Sequence, residues 1–120
     1  MEQNFEKTRI IQELVPGREV TLAHVIASPD YDIFSQLSVH REKERDPCAV
    51  GIINVSPGDA ALILADIAAK ASGISVGLAD RESGSLIITG TVSEVETSVT
   101  EALRYAGEKL NLATCAVTKT

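Results

Sequence analysis

At 120 residues the chain is one domain, large enough to bury a core without metals or disulfides; 44% hydrophobic and only 3% aromatic residues, with no Trp, make that core aliphatic. A formal net charge of −6 argues against nucleic acid as a partner, because phosphate contacts require a basic face. Apolar runs of a few residues fall far short of a membrane span, and a start carrying Glu2 and Glu6 without an apolar segment is no secretory signal, so cytoplasmic residence is expected.

Residues 1–18 form an N-terminal extension. Within it Arg9, Ile10, Ile11, Gln12, Glu13, Leu14 and Val15 alternate as a strand that breaks at Pro16-Gly17. With two partly apolar faces and no obvious neighbour, such a strand invites pairing. A second strand begins at Glu19. Strict alternation there puts Val20, Leu22, His24 and Ile26 on one face and Thr21, Ala23, Val25 and Ala27 on the other. Ser28-Pro29-Asp30 reads as a helix start, and Val39–Pro47 as a charged, solvated loop before the next strand.

From Ala49 the pattern runs strand (Ala49–Val55), helix (Asp59–Ser72), strand (Ser75–Asp80), strand (Ser85–Thr91), helix (Ser93–Leu110). In Ser56-Pro57-Gly58-Asp59 the Ser caps, Pro takes the first helical position and Asp favours the positive end of the dipole. Ser93-Glu94-Val95-Glu96 reads as a capping box. The last helix carries one apolar stripe, Val95, Val99, Ala102, Leu103, Ala106 and Leu110. The middle helix is apolar on most sides (Leu62, Ile63, Leu64, Ile67), so it needs cover on more than one side, part of it from a neighbouring subunit. Asp80-Arg-Glu-Ser-Gly-Ser85 is a turn whose Ser-Gly supplies a positive φ. Gly51 and Gly77 lie inside strands and suggest close backbone approach. Asp66 and Lys70, four apart and acid first, form a helix-surface pair contributing on the order of 0.3 kcal/mol.

These pieces make five-sixths of a β-α-β-β-α-β unit, with the sixth at Glu19–Pro29, at the other end of the sequence. Three runs, Ala49-Val-Gly-Ile-Ile with Ala65-Asp-Ile-Ala-Ala-Lys-Ala71, Glu82–Val95, and Ala23-His-Val-Ile-Ala-Ser-Pro29, resemble the shell proteins of bacterial microcompartments (BMC). Arg9–Gly17 and Ala113–Thr120 are similar to the circularly permuted branch of ethanolamine- and propanediol-utilising compartments. The resemblance implies an α+β fold, a circularly permuted ferredoxin-like BMC domain over 19–120 with an antiparallel sheet and helices. It also implies a homohexamer tiling with other shell proteins in the cytoplasm and controlling metabolite passage, with no catalytic residues, cofactor or metal.

Residue by residue, the resemblance puts Arg81, Glu82, Ser83, Gly84 and Ser85 in a loop around an axial pore, where six Glu82 carboxylates would repel one another. Asp66 and Lys70 fall at the hexamer edge. Ser28 and Asp30 depart from the Arg and His frequent there in unpermuted members. Arg9–Val15 becomes one strand of a six-stranded barrel capping the axis, able to receive a peptide of an encapsulated or associated protein. Fold analogy leaves a second class open, a ferredoxin-like regulatory oligomer that binds a small ligand. His24 reads as a satisfied core or interface imidazole, and Cys48 and Cys115 as buried thiols without metal-ligand spacing. No nucleophile, base and orienting group assemble.

Overall fold

The computed structural model describes residues 17–30, 32–33 and 49–120. The barrel segment Arg9–Val15, the charged loop Val39–Pro47 and Cys48 lie outside them. In chain order the elements are β1 (Glu19–Ile26), β2 (Ala49–Ser56), α1 (Ala60–Ala71), β3 (Ser75–Asp80), β4 (Ser85–Gly90), α2 (Val92–Glu108) and β5 (Thr118–Lys119). They form one sheet in the order β3-β4-β2-β1-β5. Counted from β2, the first four positions are those of a β-α-β-β-α-β unit, with β1, first in the chain, standing where the last strand belongs.

The expected antiparallel sheet is in fact mixed. β1–β2, β2–β4 and β3–β4 are antiparallel, but β5 lies parallel to β1. The free edge of β1 has backbone groups that need partners, and the C-terminal residues supply them. Val20 N–H donates to Ala113 O (2.8 Å), Thr120 N–H to Val25 O and Ala27 N–H to Thr120 O (both 2.9 Å). A two-residue strand has no periodicity to read, which is why the sequence hides it.

Strict alternation along β1 also fails. A register shift between Val20 and Leu22 turns Val20 to the same buried face as Ala23 and Val25, while Leu22 and His24 stay on the other. Opposite Val20 stands buried Val55, and burying that pair outweighs one irregular ladder position.

Both helices cover one face. α2 lays Val95, Val99, Ala102, Leu103 and Ala106 into the core, and Ser98 is buried with them. Gly51 allows this approach: a Cβ there would stand 2.8 Å from Val95 Cγ1 and 3.0 Å from Val99 Cγ2. Gly77, by contrast, is exposed at a register shift between Val76 and Leu78. α1 buries Ala60, Ala61, Leu64 and Ala68. Between the helices the Ser98 hydroxyl donates to the Ala68 carbonyl at 2.7 Å.

All three helix starts move. Helical residues 32–33 follow Asp30, whose carboxylate accepts from Asp32 N–H at 3.2 Å, so Asp30 rather than Ser28 caps. Ser56-Pro57 is a cis peptide, and α1 begins after Asp59, whose side chain makes no cap bond because it is engaged by Arg81. The capping box of α2 is Thr91 with Glu94, two residues before the expected Ser93 and Glu96. Thr91 follows directly on the extended backbone of β4 and keeps it (φ −72°, ψ 162°), as an N-cap requires.

Candidate functional site: the β3–β4 loop and the outer end of α1

Every residue of the loop from Arg81 to Ser85 is held by a hydrogen bond, and only the Glu82 side chain is left out. The Asp80 carboxylate accepts from Glu82 N–H (3.0 Å) and Ser83 Oγ (2.9 Å), while Gly84 N–H donates to the Asp80 carbonyl (2.8 Å). The Glu82 and Ser83 donors stabilise the ionised carboxylate and hold Asp80 below the usual carboxylate range, the Glu82 N–H contributing most. Gly84 adopts φ +75°, as the Ser-Gly pair predicted, and a Cβ there would overlap the Val55 carbonyl. Val55 N–H in turn donates to Gly84 O at 2.9 Å, pinning the loop to the end of β2.

Two side chains from outside the turn complete the clamp. Arg81 Nε reaches Asp59 Oδ1 at 3.0 Å, tying the loop to the start of α1. Asn54 Nδ2 donates to Ser83 O and Ser85 Oγ, both at 3.2 Å, and its Oδ1 accepts from Thr21 at 3.1 Å. Glu82 is left exposed and engages no side chain among the described residues. The turn thus spends its neighbours' polar groups internally and displays one carboxylate to solvent.

Sequence reasoning named the loop but missed Asn54 and Asp59. Asp80 four residues before Gly84 is a readable turn signature. Nothing in the sequence joins Asn54 to residues about thirty positions away.

At the far end of α1, Lys70 Nζ lies 2.8 Å from Asp66 Oδ2, the predicted pair, with both side chains mostly solvent-exposed. The hydrogen bond to Asp66 and its charge raise the Lys70 pKa. The loop and this pair mark opposite ends of β3, which leaves α1 at Ser75 and reaches the turn at Asp80.

His24 is satisfied, as expected: its Nδ1 and Nε2 lie 2.6 and 2.9 Å from the hydroxyls of Thr118 and Thr120. Both partners belong to the C-terminal segment, to which sequence reasoning gave no secondary structure. Cys115 is free and half-buried rather than buried, and burial pushes its thiol pKa up. Among the described residues no three His, Cys, Asp or Glu side chains gather to hold a metal ion, and no helix is long and apolar enough to cross a membrane.

Comparison with known proteins places this arrangement. The family model described as the BMC domain matches residues 49–119. The chain is 39% identical over 120 residues to the bacterial microcompartment shell protein PduU of Salmonella typhimurium, covering all of both chains. It is 42% identical over 115 residues to EutS of the same organism, covering 96% of this chain and 99% of the relative. The solved CutR flat hexamer superposes with a TM-score of 0.80 at 38% identity, covering 91% of this chain and 96% of that one.

Proposed function

The chain belongs to the BMC-domain family of bacterial microcompartment shell proteins, and from that membership we propose that six copies close into a ring that tiles the shell without a reaction of its own. Its role is structural: with other shell proteins it forms a wall around enzymes and controls what crosses. The full-length match to a shell protein of equal length carries this reading, and the likeness to a hexamer supports the ring.

Within the ring, Arg81–Ser85 faces the six-fold axis, and the clamped turn holds Glu82 toward the opening. Asp66 and Lys70 stand at the rim, where Lys70 meets its counterpart in the adjoining hexamer. Residues 1–18 are an extension to the permuted domain of 19–120, and its strand Arg9–Val15 joins five copies in a small barrel that caps the axis. The barrel lumen is able to receive a short peptide of an encapsulated or associated protein. The enclosed pathway is ethanolamine, propanediol or choline breakdown, with the wall, itself in the cytoplasm, limiting the escape of an aldehyde intermediate from around the enzymes.

Native mass spectrometry with electron microscopy tests the ring. A six-subunit particle that forms sheets is expected. A stable monomer, or a trimer whose melting point shifts with a nucleotide, overturns it. Deleting residues 1–16 tests the cap: the expected outcome is an intact hexamer with its axial density lost. Disappearance of the hexamer itself would mean that the barrel holds the subunits together instead of plugging an opening.

A further inference from the structure

The C-terminal segment from Ala113 to Thr120 runs along the outer edge of β1, and its hold changes in kind along its length. At the near end, core and backbone hold it. Leu112 is buried, and its N–H donates to Ala106 O at 3.0 Å. Ala113 N–H donates to Arg18 O at 3.2 Å, and Ala113 O accepts from Val20 N–H.

Between Ala113 and Thr118 no backbone hydrogen bond joins the segment to β1 among the described residues. Side chains bridge that gap. Ala23 N–H donates to the Cys115 sulfur, and Thr118 Oγ1 donates to Ala23 O at 3.3 Å. Ala23 is buried, so its backbone groups need these partners. At the far end Thr120 pairs with Val25 and Ala27 through its backbone, and the hydroxyls of Thr118 and Thr120 both meet the His24 ring. Lys119 adds an ion pair with Glu96 of α2 at 2.7 Å, half-exposed and so contributing little.

The proton count fixes what His24 does there. A threonine hydroxyl has one proton, and that of Thr118 goes to Ala23 O. Toward the ring Thr118 therefore accepts, which requires an N–H at Nδ1. In a neutral imidazole the other nitrogen carries the lone pair, so Nε2 accepts from Thr120. Only this arrangement satisfies Ala23 O, both hydroxyls and both ring nitrogens together.

From Ala116 to Thr120 the segment is exposed, so its far end gains little from burial and depends on these few bonds. Beneath it lies an edge that needs a cover. From Val20 to Ile26, β1 has no Pro, Asp, Glu, Lys or Arg, the residues that usually keep an edge from pairing. We propose that residues 113–120 are a latched strap over the β1 edge, opening from the Thr120 end about an anchor at Leu112 and Ala113, with His24, protonated on Nδ1, as the latch. Opening frees the edge groups of Ala23, Val25 and Ala27 and leaves Val20 paired. The strap belongs to a single chain, so this inference stands apart from the ring reading.

Residue-resolved amide hydrogen exchange on the full-length parent and on His24→Leu tests the strap. Loss of both ring hydrogen bonds should speed exchange at the Ala27 and Thr120 amides about tenfold. The Val20 amide and those of β2 should keep the parent rate. Thr118→Val keeps the shape and removes one hydroxyl; it should act in the same direction by a smaller factor, and it carries the test if His24→Leu fails to fold. Unchanged rates at Ala27 and Thr120, or a Val20 amide that speeds up as much as they do, overturn the strap. The latch has its own readout. Nitrogen-15 NMR of labelled histidine, with His40→Gln leaving His24 alone, is expected to find the proton on Nδ1 at about pH 8, above the ordinary histidine range. A proton on Nε2 overturns the latch.

Discussion

Gly84 joins conformation and contact at one atom. Its φ of +75° is strained for any residue with a Cβ, and that Cβ would also strike the Val55 carbonyl. Gly84→Ala is therefore expected to destabilise the fold by about 1–3 kcal/mol, read as a lower urea midpoint. Asp80 governs the same turn through its charge. Its pKa in the folded protein lies below the ordinary value because Glu82 N–H and Ser83 Oγ bind the ionised form. The resulting stabilisation is fully present above the ordinary carboxylate range and is lost as pH falls through the depressed folded value. Asp80→Asn should flatten that part of the acid limb in urea midpoints measured against pH. An acid limb identical to the parent's would remove Asp80 from the account.

At the scale of elements, the start of α2 offers a sharp comparison. Thr91 Oγ1 accepts from Glu94 N–H at 3.2 Å while Glu94 Oε1 accepts from Thr91 N–H at 3.1 Å. Thr91→Ala is expected to cost about 1 kcal/mol in thermal or denaturant unfolding. Ser93→Ala, at an exposed position inside the helix, should change stability by less than about 0.5 kcal/mol. Equal losses would return the cap to Ser93. Both positions look alike in sequence, since each precedes a Glu three residues on. What separates them is where β4 stops holding the chain extended, which depends on Thr89 pairing with Ser75 and Gly90 with Ala49. Of the two helices, α2 was legible because its buried stripe repeats at helical period, whereas α1 was read only as apolar on most sides, without the face it buries. β5 was not legible, because its partner lies more than ninety residues away and its two residues carry no pattern.

For the whole molecule, the proposed rim position of Lys70 is the informative place. Lys70→Ala removes one partner of the pair with Asp66, an exposed interaction that contributes little to the fold. It should leave rings intact and impair extended sheets under electron microscopy; parent and variant tiling equally well would remove Lys70 from the rim. Other surface features exist only once the chain has folded. Leu62 and Ile63 were legible as apolar positions needing cover, but their grouping with Val76 and Leu78 required α1 to pack over β3. By itself the sequence determined the aliphatic core, the strand and helix order from Ala49 to α2, the Gly84 turn and the Asp66–Lys70 pair, because each is written in local spacing or composition. The tertiary structure alone decided the β1 irregularity, the parallel β5, the Asn54 and Asp59 clamps on the loop and the grouping of Leu62 and Ile63 with Val76 and Leu78. Each of those depends on which distant residues come within a few ångströms, and no local pattern encodes that distance.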